Sequence, residues 1–232
     1  MIEIRPFSGL GKFRNDWLDA SHHFSFGTYR DSRRMGLGPL LVWNDDRIQP
    51  STGFDPHPHR DMEIVTYIRQ GAITHRDSLG NQGRTAAGDA QVMSAGSGIV
   101  HAEYNLEPGE TTLFQIWLRP RQAGLKPRWQ TAAFPQADRA GKLVPLASGQ
   151  AGVGGLPIDQ DATLYGARLA AGMTLRHVLV AGRQAYLVAA VGSLGVNGIP
   201  AAARDGVVAG AGLLEIAAGE ASELLLCDLP SA

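Results

Sequence analysis

The sequence is dominated by short runs of apolar or alternating residues that are separated by turn-forming residues. β-Branched and aromatic side chains fill the runs, and Gly, Pro, Asn and Asp lie between them, as is typical of strands joined by tight turns. In the first half, the runs are LLVWNDDRI (40–48), EIVTYIRQG (63–71), AITHRDS (72–78), AQVMSAG (90–96), GIVHAEYNL (98–106) and TTLFQIWLRP (111–120). We therefore expect an all-β protein built as a sandwich or a barrel.

The second half of the chain repeats this pattern. Its runs are ATLYGARLA (162–170), MTLRHVLV (173–180), QAYLVAAVGSLGVNG (184–198), DGVVAGAG (205–212), LLEIAAG (213–219) and SELLLCDL (222–229). Around residues 120–160, Pro and Gly cluster and the periodicity fades, which indicates a connection between two β-barrel domains. Helical periodicity is scarce, and we predict only two short turns, at residues 16–20 and 135–140.

Composition and charge exclude several classes of protein. The 21 Lys and Arg residues and the 22 Asp and Glu residues leave a formal net charge of -1. The chain therefore lacks the basic excess of a nucleic-acid-binding protein or a membrane-binding surface. No stretch resembles a signal peptide or approaches the 18 apolar residues of a membrane span. The only cysteine is Cys227, so no intrachain disulfide can form. We expect a cytoplasmic protein that binds neither nucleic acid nor membrane.

Histidine is distributed unevenly, because six of the seven histidines precede residue 102. His57 and His59 are two residues apart in GFDPHPHRDME, and His101 and Glu103 are two apart in GSGIVHAEYN. Residues i and i+2 of a strand point to the same face, so each pair projects together. Two such pairs on neighbouring strands would bring three imidazoles and a carboxylate to one point. Glu63 would share the face of His57 and His59 if their strand ran on unbroken.

Three imidazoles and a carboxylate suit a divalent first-row metal, whether Fe, Mn, Ni, Co, Cu or Zn. The absence of Cys from the set argues against a structural zinc site. Four protein ligands on an octahedral ion leave two positions for substrate and dioxygen, or for two waters. A lone histidine in a strand is more often a hydrogen-bonded core or surface residue than a ligand. Two spaced pairs, each in a predicted strand bounded by Gly, favour a metal site.

The other histidines and the tryptophans carry a weaker signal. We predict structural roles for His22 and His23 and an exposed strand position for His75. The residues predicted to belong to the core rather than to a substrate platform are Trp43, Trp117 and Trp129.

The second half lacks the pattern of ligands. If Gly192 corresponds to Gly71, the positions equivalent to His57, His59 and Glu63 are Val178, Val180 and Gln184. None of these side chains is a usual ligand of first-row metals, so we expect no metal there. His177 has the wrong parity for such a site, and we predict that it makes a surface or inter-domain hydrogen bond.

The motifs of the first half resemble those of one protein family. GFDPHPHRDMEIVTYIRQG, HRDSLGN, GDAQVMSAGSGIVHAEYN and FQIWLRP are similar to the pirin family of the cupin superfamily, as are WLDASHHFSFGTYRD and WNDDRI. Among its members, the sequence is most similar to bacterial pirin-like proteins with quercetin 2,3-dioxygenase activity. The resemblance is specific over about residues 1–130 and looser afterwards. It implies a bicupin of two stacked jelly-roll β-barrels, with a metal-binding domain at 1–130 and a metal-free domain at 131–232.

The same resemblance assigns the metal ligands. It implies that His57, His59, His101 and Glu103 bind one divalent ion, with Fe(II) as the first choice and Mn, Ni, Co, Cu or Zn as alternatives. The general cupin pattern uses the glutamate of the first motif as a ligand. In pirins the glutamate of the second motif takes that place, so we expect Glu63 to orient an imidazole instead.

The resemblance and the ligand set together predict a dioxygenase that cleaves a flavonol such as quercetin and releases carbon monoxide, with Glu103 as general base. A pirin-type regulator, in which the metal senses redox state, is the alternative, and a cupin isomerase or another oxygenase is a third. A deep apolar pocket at the metal would favour an enzyme, whereas a shallow site beside an exposed patch would favour a regulator. We expect a monomer.

Overall fold

A computed structural model describes residues 1–231 as a succession of strands. The strands of the first half are β1 (Ile2–Arg5), β2 (Gly11–Arg14), β3 (Leu18–His22), β4 (Leu40–Ile48), β5 (Thr52–His59), β6 (Glu63–Gln70), β7 (Ala72–Asp77), β8 (Gln82–Ala86), β9 (Ala90–Ser94), β10 (Ile99–Asn105), β11 (Thr111–Leu118) and β12 (Arg128–Ala132). The later strands are β13 (Val144–Ser148), β14 (Leu156–Pro157), β15 (Thr163–Leu169), β16 (Thr174–Val191), β17 (Leu194–Val196), β18 (Ile199–Ala201), β19 (Gly206–Ala218) and β20 (Ser222–Pro230).

The helices of residues 1–231 are short 3₁₀ turns at Phe7–Gly9, Ser32–Arg34 and Gln136–Arg139. No helix in this part of the chain has the length and hydropathy needed to cross a membrane. The all-β prediction is confirmed, and the six runs of the first half coincide with strands to within two residues at either end. The turn at 135–140 is present as a 3₁₀ helix. The prediction of a turn at 16–20 is wrong, because Leu18–His22 pairs with β4 as a strand.

The strands separate into two compact units. The N-terminal unit comprises Gly11–Phe134 and Leu156–Gln160, and the C-terminal unit comprises Met1–Leu10, Pro135–Gly155 and the residues from Asp161 onward. The division predicted at residue 130 differs from this one chiefly in the first ten residues. These belong to the C-terminal unit because β1 pairs with β19.

The N-terminal unit contains two antiparallel sheets that share one core. The smaller sheet has the strand order β5-β10-β7-β8, and the larger sheet has the order β12-β9-β6-β11-β4-β3-β2. Ile73 of the smaller sheet packs with Ile48, Ile68 and Leu113 of the larger sheet, and all four are almost fully buried. Because side chains alternate along a strand, every second residue of β7 and β10 faces this interior.

The pairing of β10 with its two neighbours fixes which inward side chains meet. His101 is opposite His57 on β5 and opposite Asp77 on β7. Glu103, two residues along, is opposite His75 on β7. Side chains from three strands are therefore brought to one region of the interior.

A β-bulge interrupts the pairing of β5 with β10. Between His101 and Glu103, the partner position on β5 moves by three residues, from His57 to Phe54. The extra residue lets His57 and Phe54 line the same cavity although they are three residues apart. The Tyr104 hydroxyl donates a hydrogen bond to Asp55 within the bulge.

The C-terminal unit packs one sheet around a hydrophobic core. Its strand order is β13-β15-β20-β16-β19-β17-β18, and β1 is an additional partner of β19. β16 and β19 run through 18 and 13 residues, so each joins two runs that the sequence separates. The core includes Leu187, Ile216 and Leu226. Val178 and Val180, at the positions equivalent to metal ligands, are 61% and 59% exposed on β16.

Replacing Gly53 with alanine tests how closely β5 approaches β10. A Cβ at this position would lie 2.1 Å from the carbonyl oxygen of Glu103 and 2.6 Å from Cα of Tyr104, so the backbone would have to move. We expect Gly53→Ala to lower the free energy of unfolding by about 1–3 kcal/mol, as overpacking does. The control is Gly109→Ala, where the added methyl meets nothing within 4 Å. Urea denaturation measures both variants, and equal stability would contradict the close approach.

Candidate metal centre and adjoining cavity

Three imidazole rings converge where β5 meets β10. The ring centroids of His57 and His101 are 4.4 Å apart, those of His57 and His59 are 4.9 Å apart, and those of His59 and His101 are 5.0 Å apart. One nitrogen from each ring lies within 4.8 Å of the other two. The structure therefore brings together the three histidines that the spacing singles out.

The surroundings of these imidazoles favour the neutral form, which is the form that binds metal. Burial, with a smaller effect from His57, lowers the pKa of His59 to about 4. Burial and the neighbouring imidazoles lower the pKa of His101 to about 2. His57 Nδ1 donates a hydrogen bond to the Asp55 carbonyl oxygen at 2.7 Å, which leaves the Nε2 lone pair available.

The surroundings of His101 are those expected of a metal ligand. His101 is 2% exposed, and neither of its ring nitrogens has a hydrogen-bond partner within residues 1–231. Leaving a buried polar atom unpaired costs about 1–3 kcal/mol, so native proteins seldom do so without a functional reason. Three converging imidazoles are also a donor set that first-row metals prefer. The residues present therefore fit a divalent metal ion.

Glu103 lies on the same face of β10 and is bonded to the larger sheet. Its carboxylate accepts hydrogen bonds from Gln91 Nε2 at 2.5 Å, from Gln115 Nε2 at 2.9 Å and from Thr66 Oγ1 at 3.4 Å. Burial raises the pKa of Glu103 to about 7, although these hydrogen bonds oppose the shift. One carboxylate oxygen lies within 4.8 Å of a ring nitrogen of His101. Glu103 thus adjoins the cluster, and its role as fourth ligand stays a prediction.

Glu63 does not continue the strand of His57 and His59. β5 ends at His59, Asp61 adopts a φ of 48°, and Glu63 begins β6 in the larger sheet. The Glu63 carboxylate accepts a hydrogen bond from Ser94 Oγ at 2.6 Å. The unbroken strand that would place Glu63 beside the histidines is therefore absent, because the turn at Asp61 leads the chain to the other sheet.

His75 is buried, and the prediction of an exposed position is wrong. It is 0% exposed, and its ring stacks on Trp129 with 4.6 Å between centroids and 5° between planes. Its Nε2 lies 3.1 Å from Asp77 Oδ2. The charged neighbours are misleading, because Arg76 points to solvent whereas Asp77 faces inward with His75. The H-x-D spacing, the same as in the two other pairs, is the signal that identifies this pair.

A cavity of about 580 Å³ adjoins the histidine cluster. His57 and His59 line it together with the aromatic side chains Phe13, Trp17, Phe26, Phe54 and Trp117. Trp17 packs edge-on against Phe54 at 5.1 Å. Trp117 lines the cavity and packs edge-on against His59 at 4.9 Å, so the prediction of a core role rather than a cavity role is wrong for this residue. Trp43 is fully buried in the core, as predicted. A cavity of this size accommodates a multi-ring aromatic molecule.

The polar part of the cavity wall includes two side chains of β4. Asn44 Oδ1 lies 2.8 Å from His22 Nδ1, and both side chains line the cavity. The role of His22 is therefore not only structural. Asp46 is 2% exposed, and its Oδ1 has no hydrogen-bond partner in the described part of the chain. Burial raises the pKa of Asp46 well above its ordinary value, and the charges of Asp45 and Glu103 add to the shift.

A second cavity, of about 590 Å³, lies on the outer face of the smaller sheet. Its walls include alternate residues of β7 and β10 that point away from the interior, among them Thr74, Arg76 and Tyr104. His101 and Asp77 also line it, whereas His57 and His59 do not. The aromatic cavity is the one that both His57 and His59 line.

Two remaining histidines have structural surroundings. His23 is fully buried, with its ring 6.3 Å from that of Trp43. His177 Nε2 lies 2.8 Å from Asp228 Oδ2. Both residues belong to the C-terminal unit, so the predicted hydrogen bond is present within one unit and not between domains.

The chain matches two protein families, one in each half. The Pirin family matches residues 4–118. The family described as Quercetinase C-terminal cupin domain matches residues 145–229. The resemblance noted in the sequence is therefore confirmed, and it extends to the second half.

Similar proteins align along nearly the whole chain. The Pirin-like protein of Caulobacter vibrioides is 54% identical over 98% of this chain and 99% of its own length. The quercetin 2,3-dioxygenase of Escherichia coli K12 is 39% identical over 99% of both chains. The crystal structure of the bacterial pirin YhhW from Escherichia coli in complex with nickel(II) covers 100% of both chains, with a TM-score of 0.93 and 37% identity. On this full-length similarity, the chain belongs to the pirin family.

Proposed function

We propose that the protein is a metal-dependent dioxygenase that cleaves a flavonol such as quercetin. The observation that carries the proposal is the convergence of three imidazoles, two of which line the wall of an aromatic cavity. A relative named quercetin 2,3-dioxygenase supports the substrate class. A regulator that only senses the redox state of a metal has no need of such a cavity, so the cavity favours an enzyme over the regulatory alternative.

His57, His59 and His101 would hold one divalent ion, with Glu103 as the fourth ligand. Fe(II) is the first choice among the ions that suit these ligands, and the nickel(II) complex of YhhW supports nickel as an alternative. When bound, the ion supplies the Lewis-acid and redox chemistry by which dioxygen reacts with an aromatic ring.

Glu103 is suited to take the proton of a substrate hydroxyl on one of its carboxylate oxygens. In the metal-free protein, burial raises its pKa to about 7, and a general base is most effective when its pKa lies near the working pH. The hydrogen bonds from Gln91 and Gln115 hold the carboxylate in place. Loss of the hydroxyl proton makes a flavonol electron-rich, which is what its reaction with dioxygen requires.

The cavity wall binds and orients the substrate. The edges and faces of Trp17, Phe54 and Trp117 provide apolar contacts for a flat ring system and exclude water from it. Asp46 supplies a polar contact on the same wall. Because its Oδ1 has no partner within the protein, a hydroxyl group of the substrate would satisfy it.

Removing one histidine of the cluster should remove the metal. We expect His57→Ala and His101→Ala each to lose bound divalent metal, because each takes away one of three imidazoles. Elemental analysis of the purified proteins and titration with Ni(II) measure the loss. The control is His177→Ala, whose histidine bonds Asp228 in the other unit and which should keep the metal. Full metal content in His101→Ala would contradict the ligand assignment.

The metal-loaded protein should consume dioxygen in the presence of quercetin. We expect equal amounts of quercetin and dioxygen to be used and an equal amount of carbon monoxide to be released, as measured with an oxygen electrode and by gas analysis. The corresponding flavone, which lacks the 3-hydroxyl, should give no uptake because it has no hydroxyl proton to lose on the ring that is cleaved. With metal occupancy confirmed, failure to consume oxygen with any flavonol would refute the dioxygenase and leave the regulatory alternative.

Replacing Asp46 with leucine separates substrate binding from stability. We expect Asp46→Leu to weaken the binding of quercetin about tenfold, because the loss of one hydrogen bond costs about 1–1.5 kcal/mol. The metal-free variant should be at least as stable as the wild type, since it no longer buries an unpaired carboxyl. Quercetin absorbance titration without oxygen measures the first effect, and thermal unfolding measures the second.

The neighbouring Asp45 provides the matched control for Asp46. It bonds Arg69 and does not line the cavity, so Asp45→Glu, which keeps the charge beside Asp46, should lower stability by overpacking and leave quercetin binding unchanged. Unchanged binding in Asp46→Leu would remove Asp46 from the substrate site.

A further inference from the structure

His75 and Asp77 form a hydrogen-bonded pair beside the histidine cluster. Both side chains are 0% exposed, and His75 Nε2 lies 3.1 Å from Asp77 Oδ2. The pairing of β7 with β10 places His75 directly opposite Glu103 and Asp77 directly opposite His101. Two inward-facing side chains of β7 are therefore adjacent to two of β10, namely His75 and Asp77 to Glu103 and His101.

Asp77 is held as a hydrogen-bond acceptor. Its Oδ1 accepts from the backbone N–H of Leu79 at 2.9 Å and from that of Asn81 at 3.1 Å. Its Oδ2 accepts from Asn81 Nδ2 at 2.9 Å. A carboxyl group surrounded by donors in this way is ionised, so the proton between Asp77 and His75 lies on His75 Nε2. The Nδ1 atom of a neutral imidazole in this tautomer carries a lone pair and is an acceptor.

The acceptor nitrogen of His75 is buried without a partner in the described part of the chain, and the His75 ring lies next to the ring of His101. Within residues 1–231, Nδ1 of His75 has no hydrogen-bond partner, and neither has either ring nitrogen of His101. The two rings are 5.4 Å apart, with 41° between their planes. The stacking on Trp129 fixes the plane of the His75 ring. The ring of His75 thus carries an acceptor nitrogen that has no donor among the described residues. It lies beside the ring of His101, whose nitrogens have no partner in the same range.

A metal-bound His101 would supply the hydrogen-bond donor that the acceptor nitrogen of His75 lacks. When one nitrogen of an imidazole binds a metal, the other carries a proton, and metal-ligating histidines almost always donate that proton to a nearby acceptor. We propose that Asp77 and His75 orient His101 through two consecutive hydrogen bonds, from His101 N–H to His75 Nδ1 and from His75 Nε2–H to Asp77. This inference rests on the metal centre of the proposed function and not on its substrate.

In this arrangement His75 is a positioning residue that acts through His101. The two hydrogen bonds fix the tautomer and the ring orientation of His101 and make its metal-binding nitrogen more basic. Loss of such an outer partner typically weakens metal binding by about 10–100-fold, so the effect is measurable without any turnover.

Asp77→Asn is the sharpest variant, because it preserves the shape of the side chain. An asparagine amide donates to His75 Nε2, which moves the imidazole proton to Nδ1 and removes the acceptor for His101. His75→Phe keeps the stacking on Trp129 but removes both nitrogens. His75→Asn places an amide oxygen near the position of Nδ1 and should restore part of the affinity that His75→Phe loses.

The affinity for Ni(II), measured by competition with a chelator, and the absorption spectrum of the Co(II)-loaded protein test the proposal. We expect Asp77→Asn and His75→Phe to weaken Ni(II) binding by about 10–100-fold and to shift the Co(II) spectrum. Thermal unfolding of the metal-free proteins establishes that each variant is folded. His177→Phe removes a His–Asp pair of the same kind from the C-terminal unit and should change neither affinity nor spectrum.

Two outcomes would overturn the proposal. If folded Asp77→Asn binds Ni(II) with wild-type affinity and gives the wild-type Co(II) spectrum, the pair is only structural. If His75→Phe alone loses the metal while Asp77→Asn retains it, His75 is itself a ligand, a geometry that its position within 4.8 Å of His101 and Glu103 permits. Failure of the wild type to bind either ion would be a different result, because it would refute the metal centre of the proposed function.

Discussion

The pairing of β10 with strands on both sides is the constraint on which the site depends. Because the backbone ladders set the spacing of opposed residues, His101 is held between His57 on one side and Asp77 on the other. The main chain, rather than the flexibility of long side chains, therefore determines how the imidazoles approach one another. A site built on paired strands in this way is arranged before any ligand arrives.

A network of amide and hydroxyl groups makes it possible to bury a carboxylate between the two sheets. Glu103 accepts from Gln91 and Gln115, whose own oxygens accept from Thr85 Oγ1 at 3.0 Å and from Trp117 Nε1 at 3.1 Å. The chain of hydrogen bonds therefore runs from the cavity wall at Trp117 through Glu103 to the far side of the interior. Because Trp117 donates to Gln115 and Gln115 donates to Glu103, a movement of Trp117 around a bound molecule would change the hydrogen bonding of the Glu103 carboxylate.

The strand period of two accounts for what the sequence predicts well. It assigns His57 and His59 to one face and His101 and Glu103 to another, and strand pairing brings the two faces together. The same reasoning fails where a local pattern is broken by a distant contact or an unusual torsion. The left-handed residue Asp61 redirects the chain before Glu63, which no apolar pattern reveals.

Non-local pairing accounts for the other failures. The first ten residues join the C-terminal unit because β1 pairs with β19, some two hundred positions away, and nothing in the sequence of β1 specifies that partner. His75 is flanked by charges that are typical of an exposed strand, but Asp77 is buried as its hydrogen-bond partner. A pattern of polar residues cannot distinguish a solvated face from an interior in which polar groups satisfy one another.

The bulge in β5 makes the length of this segment as important as its composition. Phe54 and His57 both line the cavity only because one additional residue lies between them opposite β10. Deleting or inserting a single residue there would turn either the aromatic wall or the imidazoles to the outer face, since a shift of one residue reverses the side of every side chain beyond it. We therefore expect related chains that keep the site to keep two residues between the aromatic residue and the first histidine, whatever side chains those two residues carry.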